Sequence, residues 1–488
     1  MDIIYKSSKK VWEITSESEL KEVWNMKKKI ICLMTSVILC LSLLTGCQLG
    51  SRTSSVPEEE GSVTAYAIDV HPEDYQVSYD YAVTEKNFLE KYNAAVDESR
   101  QINIQYFPDT ESMNRQLSTE ILSGGGPDLF LFRDTTMPQY QTYANRGVFS
   151  DLNPFLERNG YESRQFQQVV YDYGLVGEER RFIPIEYGVP ICITNQEMAE
   201  NYRLEEIDDR LNYQDYYELL EKTNTLGKDA SISGKTFKMF WFSDVDSIRY
   251  RLLPGFINQE TKEGMFLQPE FEQAISNYSE MVSNQGGFDA FESAYIHPSM
   301  SLIALQDRAL LFDYDPVSSQ SRIYMKMDMY LENSQNSSLL LYPMKEFNKE
   351  DYSAYVGKMM AINENSSRKY KTWEVIEYAL SASVQATAMI PSGPITGNAV
   401  TIEGQNRNKN EWLNSGNTIA QKSRKDFVNQ YYEIINSVTK CDCLTYNPIY
   451  VQEVFDPLYL EYESGTKTLD EFIKELQNKT GLYLKEQN

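Results

Sequence analysis

Gln116–Phe130 reads QLSTEILSGGGPDLF, and this stretch decides the fold class. Met113, Leu117, Ile121 and Leu122 recur at helical spacing, so one apolar helix face is expected to end here. Ser123-Gly124-Gly125-Gly126-Pro127 stops that helix, because glycine takes the left-handed cap conformation without steric cost. Asp128–Phe132 (DLFLF) is a short apolar run, as expected for a central strand of a parallel sheet, covered on both faces. Working outward, Ile102–Phe107 (INIQYF) alternates with period two and reads as a strand. Before it, Asn87–Val96 carries Phe88, Leu89, Tyr92 and Val96 at helical spacing, and Val63–Val70 reads as a further strand. After it, Met137–Asn145 is helical and ends at Gly147. The order β-α-β-α-β-α predicts an α/β layer with a mostly parallel sheet.

Farther along, Phe182–Ile185 and Val189–Thr194 read as extended. Tyr213–Thr225, Phe271–Val282 and Lys371–Ser383 read as helices, the last with Trp373, Ile376 and Leu380 on one face, and Leu302–Asp313 runs from helix into strand. Thr468 and Glu471 form a capping box ahead of the stripe Leu469, Phe472, Ile473 and Leu476. There is no internal repeat.

The 488 residues are 41% hydrophobic and 24% charged, a globular balance that argues against disorder over most of the length. The formal net charge of −25 disfavours a nucleic acid partner, since acidic surfaces repel phosphates. The chain has two histidines, His71 and His297, which leaves little room for a multi-histidine zinc site or a serine–histidine triad. No HExxH, GxGxxG, P-loop or GxSxG pattern occurs, and no cofactor or metal is expected.

Met26–Cys47 has the build of an export signal. Lys27, Lys28 and Lys29 precede an uncharged, mostly apolar run from Ile30 to Leu44, too short for an ordinary membrane span. The run ends in Leu44-Thr45-Gly46-Cys47, which resembles the lipoprotein signal-peptidase site. That resemblance implies a diacylglycerol thioether on Cys47, cleavage before it, and a protein anchored at the outer face of the cell membrane. Residues 1–25 are read as an upstream extension with translation starting at Met26, 26–46 as the signal peptide and 47–61 as a flexible tether, its polar Ser/Glu composition being unable to bury a core. Cys192 either pairs with Cys441 or Cys443 or stays reduced; Cys441-x-Cys443 lacks the second pair that a zinc site needs.

The ordered motifs resemble the extracellular solute-binding proteins of ABC importers, of the large sugar-binding type. The similarity is carried by QLSTEILSGGGPDLF, by Gly147-Val148-Phe149-Ser150-Asp151-Leu152, by Arg181-Phe182-Ile183-Pro184 with Ile191–Asn195, by Gln306–Phe312 and by Val356–Ile362. Asp307-Arg308 departs from the Gly-Lys type pair usual in that family. The resemblance implies a two-lobed periplasmic-binding-protein-like fold with a hinge and a ligand cleft. Lobe 1 is expected at 62–187 plus 295–362 and lobe 2 at 188–294 plus 363–488. It implies a monomeric binding protein without catalysis, which captures a small solute, a carbohydrate by preference, for an ABC permease.

Ligands of open parallel sheets sit beyond the carboxyl ends of the strands. Arg133 and Asp134, which follow the DLFLF strand, are therefore candidate ligand residues, the alternative being a surface turn. Glu186 and Tyr187 follow the first expected crossing between lobes and would suit a polyol, the alternative being strand packing. Trp241, inside Phe240-Trp241-Phe242, is the candidate stacking platform, and Tyr314 and Asp315 follow a strand expected to end at Asp313. Acid pairs such as Asp244 with Asp246, or Asp313 with Asp315, leave open a surface glycoside hydrolase with two carboxylates or a calcium site. A ligand-sensing lipoprotein of the same fold is a third reading.

Overall fold

The computed structural model describes residues 59–69, 81–201, 203–204, 238–240, 252–258, 261–285, 310–318, 320, 323–324, 326–327, 330, 338–344, 352–389, 393–415, 421–443 and 450–486. The expected export signal with Cys47, the Tyr213–Thr225 helix and Trp241 lie outside them.

The first sheet is built as the glycine-rich stretch predicts. β1 (Thr64–Ile68) pairs in parallel with β2 (Asn103–Phe107) and with β3 (Leu129–Phe132). The strand order is β2-β1-β3-β14-β6, where β6 is Ile183–Pro184 and β14 is Met359–Ile362. β14 runs antiparallel to both β3 and β6, so the sheet is mixed. All four residues of β3 are buried, as a strand covered on both faces must be. Each such side chain is worth roughly 1.5–3 kcal/mol of burial.

The helix before β3 spans Thr110–Leu122 and buries Met113 and Leu117. Leu122 was expected on the same face but is 86% exposed, because the helix unwinds there into the glycine turn. Gly124 and Gly126 have φ of +78° and +107°, so the turn uses the freedom of two of its glycines. The helix preceding β2 is longer than its apolar spacing suggests, Tyr81–Ala95, and the one expected from Met137 is shortened to Tyr140–Asn145.

The second sheet is organised around β7 (Glu186–Asn195), whose ten residues are all buried. β7 is antiparallel to β11 (Leu310–Ser318), β12 (Leu339–Pro343), β13 (Ser353–Val356) and β15 (Asn398–Ala399). β8 (Lys238–Phe240) and β16 (Lys440–Cys443) complete seven strands among the described residues, and β4 (Leu175–Val176) with β5 (Glu179–Arg180), and β9 (Ile257–Asn258) with β10 (Glu263–Gly264), form two separate antiparallel pairs. Cys192 lies buried within β7 and Cys441 lies on β16 opposite Ala354; the two are not bonded to each other.

Among the described residues two large apolar cores follow, beside a small cluster of Ile68, Phe107 and Met113. The larger one packs on the first sheet and on the face of the second that carries Val189, Ile191, Ile193, Leu339 and Leu341. The smaller gathers Phe271, Ile275 and Tyr278 from the Pro269–Gln285 helix with residues from Tyr450 to Leu484. The described residues of 363–488 contribute to both cores. Trp373 stacks on Phe155 at 5.6 Å in the larger core, which also takes Trp412 and Tyr431. Among the described residues of this stretch, those from Tyr450 onward join the smaller one. The expected capping box closes as read: Thr468 and Glu471 bond reciprocally at the start of Leu469–Glu486, and Phe472, Ile473 and Leu476 are buried behind it. At the other end of the described chain, Glu59 accepts from the amides of Tyr370 and Lys371, orphan donors in the first turn of the Lys369–Leu380 helix. Among the described residues no helix is long and apolar enough to cross a membrane.

Candidate functional site

The carboxyl end of β3 opens into Arg133-Asp134-Thr135-Thr136, and local hydrogen bonds shape this loop. The Arg133 amide donates to Thr136 Oγ1 at 2.9 Å, Met137 N donates to the Arg133 carbonyl at 2.9 Å, and Thr135 N donates to Asp134 Oδ1 at 2.8 Å. Asn114, one turn into the Thr110–Leu122 helix, donates to the Thr136 and Thr110 carbonyls, both at 3.0 Å. Helix start and strand end are thus held as one rim. Beside the rim is a cavity of about 550 Å³ lined by Thr110, Glu111, Asn114, Arg115, Ser118, Thr135, Pro138, Gln139 and Gln452. Gln452 lies in the turn Val451–Phe455, whose Val451, Val454 and Phe455 belong to the smaller core, so the cavity is bordered by residues from the sides of both cores. Its lining is rich in hydroxyl, amide and charged groups, which hydrogen-bond hydroxylated solutes.

Directly behind the rim, four charged side chains are buried together. Arg133 Nη2 donates to Glu186 Oε1 at 2.7 Å, and Arg133 Nε lies 3.5 Å from Glu85 Oε1. Lys358 Nζ, wholly buried, donates to Glu186 Oε2 at 3.2 Å and to the Pro394 carbonyl at 2.9 Å. The amides of Thr396 and Gly397 donate to the same Oε2 at 3.0 and 3.1 Å. Burial alone would raise the Glu186 carboxyl, but Lys358, Arg133 and the two amides hold it down at about 2. Glu85 has fewer partners, namely Arg133 and a 3.2 Å bond from Thr136 Oγ1. Burial pushes it up to about 7 against the pull of Arg133 and Lys358.

Among the sequence-derived candidates, the structure brings Arg133, Asp134 and Glu186 to this region, all three buried. Tyr187 is buried on the neighbouring side of β7: it accepts from Gln405 Nε2 at 3.1 Å and donates to the Ile435 carbonyl at 3.4 Å, and burial drives its phenol pKa upward. Tyr314 and Asp315 were expected beyond a strand end. They lie instead mid-strand, because β11 continues to Ser318, with Tyr314 opposite Cys192 and Asp315 opposite Ile191. Among the described residues no cluster of three His, Cys, Asp or Glu could hold a metal.

Several residues of the site were not singled out in the sequence. Lys358 had a usable signal, a lone cation inside the apolar run VGKMMAI. Glu85 and Gln452 had none, since each is one polar residue on an otherwise ordinary segment.

No family model matches the chain, and no curated protein matches it in sequence. Its similarity is to solved structures. An ABC substrate-binding protein from Listeria monocytogenes in complex with cycloalternan matches with a TM-score of 0.55 and 13% identity, covering 87% of this chain and 98% of that one. The sugar-binding protein MalE from Xanthomonas citri matches with a TM-score of 0.57 and 13% identity, covering 87% and 98%. A solute-binding protein of an ABC transporter from Thermotoga lettingae, bound with alpha-D-tagatose, matches with a TM-score of 0.55 and 14% identity, covering 87% and 100%. The chain thus has the α/β periplasmic-binding-protein fold, in which two lobes joined by a hinge flank a ligand cleft.

Proposed function

We propose that this protein captures a small hydroxylated solute, a carbohydrate, outside the cytoplasmic membrane and delivers it to an ABC permease. The observation that carries the reading is the cavity of about 550 Å³ at the carboxyl end of β3, where aliphatic side-chain surface is interspersed with hydroxyl, amide and charged groups of Thr135, Gln139, Gln452 and their neighbours. Its size suits one to a few sugar rings, and its position is where open α/β sheets bind ligands. The fold supports the same reading, since proteins that share it are described with cycloalternan and alpha-D-tagatose bound. In this reading Thr135 and Gln139 meet the solute from the first-sheet side and Gln452 from the other. Arg133, Asp134 and Glu186 hold the rim in place behind them. Trp241 supplies a stacking face, and Cys47 carries the lipid that keeps the protein at the membrane.

The test is a thermal-shift screen of the full-length protein against oligosaccharides, monosaccharides, peptides and polyamines. A solute present at 100 times its Kd adds about 2.7 kcal/mol to the native state. A raised Tm with one sugar class and no turnover of that sugar is the expected result, with Trp241→Ala reducing the shift. Hydrolysis of the sugar, or shifts confined to peptides or polyamines, would overturn the assignment.

A further inference from the structure

Buried ion networks seldom earn their place by stability alone, since well-packed apolar side chains do as well. What this network ties together is therefore informative. Glu186 opens β7 at the point where the chain leaves β6 of the first sheet for the second sheet. Gly357 and Lys358 make the return passage, from β13 of the second sheet to β14 of the first. The two passages are bonded to each other: Gly357 N donates to the Glu186 carbonyl at 2.9 Å and Ile185 N to the Lys358 carbonyl at 2.8 Å. The third segment, 394–399, pairs with the start of β7 and reaches the Glu186 carboxylate through the Thr396 and Gly397 amides. Packing enforces the convergence. A Cβ on Gly357 would stand 2.7 Å from Glu186 Cγ, and one on Gly397 would stand 3.0 Å from Glu186 Cβ, so glycine lets both backbones close on this side chain.

We propose that Glu186 is the positioning residue of the hinge: its carboxylate knots both passages between the sheets and segment 394–399 to one another and, through Arg133, to the cleft rim. Closure of the cleft and placement of the rim are then one coupled movement. Glu85 adjusts the knot. It faces Arg133, Lys358 and Glu186 across the cluster and holds Thr136 of the rim. When Glu85 is protonated, Arg133 is left to Glu186. When Glu85 ionises, it competes with Glu186 for the same guanidinium. The knot is tighter at acid pH, consistent with the raised Glu85 pKa.

Hydrogen–deuterium exchange on the full-length protein tests this without any ligand. Rates are expressed as protection relative to the intrinsic rate at each pH. In Glu186→Gln, peptides covering 354–361, 394–400 and 133–140 lose at least tenfold protection, while peptides from the 456–463 and 469–486 helices keep theirs. In the unsubstituted protein the same three regions lose protection between pH 5 and pH 8, and Glu85→Gln removes that pH dependence. The charge-balanced double variant E186Q/K358M is measured in parallel, so that a folding failure of the single variant leaves a readable result; it too should lose protection at 394–400. Unchanged protection in these regions, loss spread evenly over all helices, or a pH dependence that survives Glu85→Gln would overturn the proposal.

Discussion

Lys358 is a cation with no exposed surface, tolerable only because Glu186 and the Pro394 carbonyl receive its ammonium. Removing one member of such a buried pair leaves the other charge short of partners, a larger loss than removing both. Lys358→Met should therefore cost about 3–5 kcal/mol in urea unfolding. E186Q/K358M should cost less than the sum of its two single substitutions, which is the signature of direct coupling. Equal additivity would show that the two side chains do not sense each other. Arg133 illustrates what a single position can and cannot reveal. Its place after an apolar strand marks it as a rim residue, but its ion pair with Glu186 joins residues 53 apart, which no spacing rule covers.

The elements around the site are held by caps and close approaches. Helix Ile402–Asn414 starts at Thr401, whose hydroxyl accepts from the Gly404 amide at 3.2 Å. Gly404 sits so close to the Ala382–Gln385 helix that an added Cβ would lie 2.4 Å from Gln385 Cβ. Gln385 in turn donates to the Ile185 carbonyl and accepts from the Val400 amide, so these helices brace the hinge from behind. Thr401→Ala should lower stability by about 1 kcal/mol in chemical denaturation, the usual worth of an N-cap. A neutral result would mean that water or another group takes over the cap. Elements of this kind were largely legible beforehand. The helix–glycine–strand unit around Gly124–Gly126 and the Thr468–Glu471 box both appear where their residues place them. The miss at Tyr314 and Asp315 has a plain cause. The apolar run stops at Phe312 and the strand was read to end at Asp313, yet β11 continues through Pro316 to Ser318 with an irregularity in its pairing between Asp315 and Ser318.

For the whole molecule, two buried carboxylates give opposite pH responses. Glu85 is raised from 4.5 to about 7, so the native state holds its proton more tightly than the unfolded chain. Its contribution is full below pH 4.5 and is lost as pH rises through 7, a change on the order of 3 kcal/mol. Glu186 is lowered to about 2, so its contribution is present above pH 4.5 and fades as pH falls towards 2. Melting temperature should therefore decline between pH 4.5 and 7, and Glu85→Gln should flatten that decline while leaving the acid limb in place. A decline of the same size in Glu85→Gln would assign it to the other carboxylates of this −25 chain.

Local pattern was sufficient for the α/β layer, for the order of strands and helices in the first third of the chain, and for the end of β3 just before Arg133 and Asp134. Each of those depends on neighbours within a few residues: periodicity, glycine at a cap, an apolar run bounded by turns. The hinge knot depends on something else. Glu186 meets Lys358 across 172 positions and the Gly397 amide across 211, and the cavity takes Gln452 from beside the smaller core and Thr135 from beside the larger. Such meetings follow from how the chain passes twice between two sheets, and a single lysine or glutamine carries no mark of the partner that the passage brings to it.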